Sequence, residues 1–300
     1  MSEPFKGVLA MVLACVIWGL SPIYYAQLKH VPAIEVLAYR GIWSLVFFAL
    51  ILGLQRRVGR AFDASRNYFW TILLASVMIA ANWFGFIFAI QTGQGLEASL
   101  GYYILPLMAV LLGGLIFGER LDGIQRTAVG LATFAVIILT WGLGVAPWIA
   151  LFLAATFAVY GVVKKTLEVG PVVSVTAEVL IIAPLALGYL IYVGTYRDHS
   201  MATHLLLALS GPLTALPLIL FSYAAKRAQL STIGLVQYLN PTLQFACAVF
   251  VLGELVTQWH ILSFAIIWTA LAIYTYSMWR QDKASRKEVS SAGTSGTTVT

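Results

Sequence analysis

Residues 100–119 read LGYYILPLMAVLLGGLIFGE, and residues 235–254 read LVQYLNPTLQFACAVFVLGE. Both contain the pattern Tyr-x-x-Pro-x11-Gly-Glu. The first copy has Tyr103, Pro106, Gly118 and Glu119; the second has Tyr238, Pro241, Gly253 and Glu254. The offset is 135 residues without a gap, and it extends upstream through Ala80/Ala215, Phe86/Phe221, Ala89/Ala224 and Gln94/Gln229. Each copy lies in a long apolar stretch, and each half of the chain holds five such stretches. A duplicated unit with an odd number of spans inserts its second copy upside down. The pattern predicts an all-α integral membrane fold of ten transmembrane helices in a 5+5 inverted-topology repeat. Secondary transporters use that architecture to place a substrate site near the bilayer midplane.

Composition agrees. Hydrophobic residues make up 60% of the chain and charged residues only 10%, against about 25% charged in a soluble domain. The mean hydropathy is +0.88. Continuous apolar runs of about 20 residues exclude a transmembrane β-barrel, whose strands alternate. The predicted spans are 7–27, 33–54, 69–91, 96–117, 124–143, 147–165, 172–193, 203–225, 230–252 and 258–279. Spans 1–5 form a first repeat over residues 1–143 and spans 6–10 a second over 147–279. They join at the tight turn Gly142-Leu143-Gly144-Val145-Ala146-Pro147. Residues 280–300 begin basic, end in Ser, Thr and Gly, and read as a disordered cytoplasmic tail.

The net charge of +6 is a topology signal and points to membrane lipids, not to nucleic acid. With the N-terminus inside, fifteen of the eighteen Lys and Arg residues fall in inner segments. Among them are Arg56, Arg57, Arg60 and Arg66, Lys164 and Lys165, and Arg280 to Lys287. Only Lys29 and Arg197 fall outside, and Arg40 lies within a span. This places both termini in the cytoplasm. Cys15 and Cys247 stand alone within spans and indicate neither a disulfide nor a metal site.

Arg40 is the most costly residue. It lies about seven residues into the second span, roughly 10 Å from the outer surface at 1.5 Å per residue. A central Arg carries a penalty of at least about 2.5 kcal/mol and should face a partner or a cavity. Aligning Pro32 with Pro171 sets Glu178 beside Arg40's slot in the other membrane half. The two charges read either as a buried ion pair that fixes registry or as substrate and gate chemistry; Glu35 is the other possible partner for Arg40. A second polar set comprises Asn82, Trp83, Tyr102, Tyr103, Gln237, Tyr238, Asn240 and Gln244, with the character of an amphipathic, aromatic-lined pocket. Pro106 frees the carbonyl of Tyr102 and Pro241 that of Gln237, which makes the two prolines candidate gating hinges. Glu97 reads as a cap in the first turn of its own span. Glu119 and Glu254 follow Gly at helix C-termini, where a negative charge is unfavourable, and are expected to bond basic loop residues, such as Arg120 or Arg126 for Glu119. No nucleotide-binding or hydrolase motif occurs, so the chain is not read as an enzyme, and no metal or other cofactor is expected.

Several words in this order resemble the EamA branch of the drug/metabolite transporter superfamily, and within it the RarD-type proteins. They are Ile17-Trp18-Gly19 with Ser21-Pro22; His30-Val31-Pro32 followed by Glu35 and Arg40; Asn82-Trp83; Leu96-Glu97-Ala98-Ser99-Leu100-Gly101-Tyr102 leading to Pro106 and Gly118-Glu119-Arg120. Tyr160-Gly161 with Lys164-Lys165 and Leu230-Ser231-Thr232 leading to Gln237-Tyr238 and Pro241-Thr242 complete the set. The resemblance runs over about residues 7–279. It departs at Ala26-Gln27-Leu28, where the family pattern has a Lys nearer the end of the first span. It implies ten helices, a cavity between spans 1–4 and 6–9, and efflux or exchange of small metabolites. The RarD-type name is linked to chloramphenicol sensitivity, which leaves the physiological substrate open.

The expected function is a secondary transporter, an exporter of small amphipathic or zwitterionic metabolites or drugs across the bacterial inner membrane by alternating access. Its partners would be the small-molecule substrate and membrane lipids, and the protein would act as a monomer or homodimer. A nucleotide-sugar or lipid-linked-substrate flippase of the same superfamily, and a non-transporting membrane scaffold, stand as alternatives.

Overall fold

The computed structural model describes residues 3–117, 123–144, 146–194, 198–225, 227 and 236–294. Among these residues every regular element is a helix: α1 Glu3–Gln27, α2 Ala33–Leu54, α3 Val58–Asn67, α4 Phe69–Gln91, α5 Gly95–Phe117, α6 Gly123–Leu143, α7 Trp148–Lys165, α8 Pro171–Val193, α9 Met201–Ala225, α10 Leu239–Ala246 and α11 Gln258–Thr294. A π-helical turn, Cys247–Val251, continues α10. Seven of the helices are long and apolar enough to cross a membrane, and Trp148–Lys164 and Leu239–Val251 are shorter apolar helices. Local chemistry sets the ends. Pro171 opens α8 at its first turn, where its missing N–H is harmless. Gly194 closes the same helix with φ of 70°, the left-handed conformation that only glycine adopts at no cost.

The predicted spans coincide with helices to within a few residues, and three regions differ. Predicted loop 55–68 contains α3, which buries Ala61 and Ala64 and packs beside Ile72, Leu167 and Ala177. Its basic residues and its exposed Phe62 suit the membrane surface. The tail predicted to be disordered from residue 280 is helical to Thr294, because residues 280–288 hold good helix formers and no Gly or Pro to stop α11. The ninth stretch is broken at Tyr238, and α10 begins only at Leu239. Gly118, Glu119 and Arg120, and residues 228–235, lie outside the described residues.

Helices from the first half pack mainly on helices from the second. The principal neighbours of α1 are α9 and α10, those of α2 are α8 and α9, and those of α5 are α7 and α10; α4 packs on α7, and α6 on α11. The two halves therefore interleave. Small residues permit the closest approaches. A Cβ on Gly211 of α9 would meet the Trp43 carbonyl oxygen of α2 at 2.5 Å, and one on Gly101 of α5 the Ala150 oxygen of α7 at 2.7 Å. Large apolar side chains such as Leu54, Trp70, Trp141, Leu185, Tyr192, Phe250 and Leu255 are exposed on the outer surface. An apolar exterior over an apolar interior is the arrangement of a multi-pass membrane protein.

Candidate functional site

Arg40 is the eighth residue of α2 and is buried. Its Nε donates to Thr214 Oγ1 of α9 at 2.9 Å, and its Nη1 donates to the Tyr25 hydroxyl of α1 at 2.7 Å. The guanidinium stacks on Trp83 of α4, 4.1 Å from the ring centroid, and lies 5.7 Å from that of Tyr25. Trp83 offers the best cation–π face among the aromatic residues. Among the described residues no carboxylate lies within ion-pair distance of Arg40. The hydroxyl of Thr214 itself donates to the Ser210 carbonyl at 2.8 Å, so its oxygen is turned to accept from Arg40.

Glu178 is the eighth residue of α8, and its environment is the converse. Its side chain is fully buried, yet both oxygens are engaged. Lys164 Nζ lies 2.6 Å from Oε1, Ser174 Oγ donates to the same oxygen at 2.8 Å, and the Tyr160 hydroxyl donates to Oε2 at 3.0 Å. Lys164 also bonds Ser174 Oγ and sits 5.4 Å from the Tyr160 ring centroid. The pairing of Arg40 with Glu178, or with Glu35, predicted as one possibility is therefore not what forms. Glu35 pairs instead with His199, Nε2 to Oε1 at 2.6 Å.

A ribbon of edge-to-face and tilted aromatic rings joins the two charges. Tyr25 meets Phe86, Phe86 meets Tyr102, Tyr102 meets Phe157 and Phe157 meets Tyr160, with centroids 5.6–6.2 Å apart. Asn82 anchors the ribbon's middle. Its Nδ2 donates to the Leu153 carbonyl at 2.9 Å and to Thr156 Oγ1 at 3.1 Å, while its Oδ1 accepts from the Tyr102 hydroxyl at 3.0 Å. Arg40, Asn82, Trp83, Tyr102 and Glu178 thus come together along one buried polar path through α1, α2, α4, α5, α7, α8 and α9.

The other predicted site residues lie elsewhere. The Tyr103 hydroxyl pairs with Thr242 Oγ1 at 2.6 Å, and its ring meets Phe264 and Trp268 of α11. Tyr238 packs on the same cluster and bonds the Thr275 side chain. Both tyrosines face α11 because that helix, far away in sequence, covers their side of α5 and α10. Gln237 sits half-buried in the short helical stretch before α10 and is not a partner of either charge. Pro106 is the twelfth residue of α5, in mid-helix, whereas Pro241 is only the third of α10. The pair is not equivalent in local structure.

Glu97 and Glu254 both cap helices, but neither caps its own. Glu254 accepts from the backbone N–H of Gly95 at 2.6 Å and of Leu96 at 2.8 Å, at the start of α5. Glu97 lies beside the backbone of Ile149 and Ala150, at the start of α7. Each carboxylate meets the positive end of a helix dipole, and Glu254 satisfies two of its orphan donors.

Sequence reasoning missed Tyr25, Thr214, Tyr160 and Ser174 and took Lys164 for a topology charge. A signal existed for three of these. Tyr160/Lys164 and Ser174/Glu178 are i,i+4 pairs, which share a helix face.

A family model described as the EamA-like transporter family matches residues 5–141. YojE, an uncharacterized transporter of Bacillus subtilis, is 39% identical over 95% of this chain and 98% of its own. The protein RarD of Streptomyces exfoliatus is 39% identical over 97% of this chain and 95% of its own. One solved crystal structure shares the fold at a TM-score of 0.58 over 92% of this chain and 98% of that one, with 18% identity.

Proposed function

The chain belongs to the EamA-like transporter family, among its RarD-type proteins, and from that premise we propose that it is a secondary transporter that exports small amphipathic metabolites across the bacterial inner membrane by alternating access. In this reading ten helices cross the membrane as a 5+5 inverted repeat, with both termini cytoplasmic. Nine of the ten apolar stretches are helical nearly throughout, and the ninth in order is helical over its second part. The repeat of the Tyr-x-x-Pro-x11-Gly-Glu pattern and the inward bias of Lys and Arg support the inversion and the orientation.

One observation carries the proposal. A path of charged, hydroxyl and aromatic groups runs from Arg40 to Glu178, walled by helices of both halves, inside a molecule whose outer surface is apolar. Intramembrane charges at this cost mark a substrate or ion pathway by default. Amphipathic cargo suits the path, since rings line it and polar groups punctuate it. Because the halves interleave, alternating access here is a movement between packed groups of helices drawn from both halves.

Labelling in intact cells tests the topology on which the reading depends. A membrane-impermeant maleimide should modify V145C from the periplasm and spare R60C. The reverse pattern would sink the orientation, the inversion and transport by this route together. Counterflow in proteoliposomes then tests transport itself.

A further inference from the structure

We infer that the cargo is a small organic carboxylate, whose head group Arg40 holds and whose apolar body lies along the aromatic ribbon. The inference rests on the transport reading above and narrows it. Two buried charges stand in the path, but only one is open to a ligand. Glu178 has both oxygens engaged by Lys164, Ser174 and Tyr160, so it is neutralised within the protein and offers nothing to a substrate amine.

Arg40 is the opposite. Its two hydrogen bonds go to neutral hydroxyls, which compensate hydrogen bonding but not charge. They use two of the five N–H donors of the guanidinium. The Trp83 ring lies against the guanidinium, its centroid 4.1 Å away, without taking any donor. A planar, oriented, charged fork with donors remaining matches a carboxylate in a bidentate geometry. A carboxylate ion there also supplies the charge that a buried guanidinium needs in a low-dielectric site. From Tyr25, which bonds Arg40, ring contacts run through Phe86 to Tyr102, and this aromatic run suits an aromatic or aliphatic body.

The test uses the full-length protein and three probes with one skeleton: 3-phenylpropanoate, 3-phenylpropanamide and 3-phenylpropylamine. Thermal shift in detergent should show stabilisation of the wild type by the carboxylate alone. Arg40→Gln should lose that stabilisation, and Arg40→Lys should keep part of it, since charge remains while the fork does not. Equal shifts with the amide or the amine, or no shift with the carboxylate, would overturn the inference. The comparison among probes on the wild type stands even if Arg40→Gln fails to fold. Counterflow of 3-phenylpropanoate in proteoliposomes separates the two proposals. Binding that depends on Arg40 without counterflow would keep the carboxylate site and remove the transport reading. Counterflow of the amide that survives Arg40→Gln would do the reverse.

Discussion

Arg40 and Glu178 occupy the same register, the eighth residue of α2 and of α8, and have opposite surroundings. Glu178 is embedded in its own counter-charge: a lysine, a serine and a tyrosine hydroxyl converge on it from α7 and α8. Arg40 is held by two neutral hydroxyls and an indole face, from α1, α9 and α4. The contrast shows that burial of a charge does not by itself signal function. A compensated pair holds two helices in register; an uncompensated charge with donors remaining is available to a ligand.

The sharpest way to break the contrast is to remove one partner from each side. Lys164→Ala leaves Glu178 buried beside two hydroxyls and no cation. Breaking a fully buried pair costs about 3–5 kcal/mol. The Lys164 side chain is 21% exposed, so the expected loss is smaller, about 2–3 kcal/mol. It is measured as a fall in the thermal midpoint of the detergent-solubilised protein. Adding Glu178→Gln should restore more than half, since the lone charge is then gone. Arg40→Met, by contrast, removes two charge-assisted bonds of about 1.5–3 kcal/mol each together with the several kcal/mol cost of a desolvated charge, which offset each other, so its stability should stay within about 1 kcal/mol of wild type. If Arg40→Met destabilises as much as Lys164→Ala, the two charges are both structural and the contrast is lost.

The capping carboxylates extend the comparison to the helix ends. Glu254 is satisfied by the N-terminus of α5 much as Glu178 is satisfied by Lys164, with a dipole in place of a cation. Glu254→Gln keeps one acceptor and loses the charge. The expected cost is about 1 kcal/mol, in the range for a lost cap plus its dipole interaction. Glu97→Gln should cost less at α7, about 0.5 kcal/mol, through its interaction with the helix dipole. Hydrogen exchange localised to residues 95–98 in the first variant and 148–151 in the second would show that each effect belongs to the partner helix. Faster exchange in the carboxylate's own element instead would remove the capping role.

Most of the fold was legible because hydropathy over twenty residues is a strong and local signal. Helix α3 escaped because ten largely polar and basic residues leave no mark on a reading of apolar stretches about twenty residues long, although Val58, Ala61 and Phe62 recur at helical spacing. The site was legible in part. Arg40 and Glu178 declared themselves by their cost in lipid, and Asn82, Trp83 and Tyr102 by their depth. Depth along a span is readable, but the direction around the helix is not. Tyr102 and Tyr103 differ by one residue, yet one joins the ribbon and the other faces α11. Partners were hidden for the same reason. Thr214 reaches Arg40 from 174 residues away, and no local pattern announces a hydroxyl among many.

The smallest expected effects concern Pro106 and Pro241, which the repeat presents as twins and the structure does not. Pro106 stands in the middle of α5, where its ring removes the hydrogen bond to the Tyr102 carbonyl and weakens the helix beside the ribbon. Pro241 stands just after the turn at Tyr238 that parts α10 from the helical residues 236–237, so it falls where the helix is already interrupted. Its own carbonyl accepts from Ser99 Oγ of α5 at 2.9 Å, a bond that any residue there would keep. Pro106→Ala should therefore stiffen α5 and change how readily the protein opens, while Pro241→Ala should change little. The two native thiols report on this without added mutations. Cys15 and Cys247 are both buried, on α1 and at the start of the π-helical turn after α10. Their rates of labelling by N-ethylmaleimide should shift in Pro106→Ala and match wild type in Pro241→Ala. Equal shifts in opposite senses would restore the symmetric pair of hinges that the repeated sequence predicts. Unchanged rates in both would leave the two prolines as bends, and the gating movement would have to be sought in other helices.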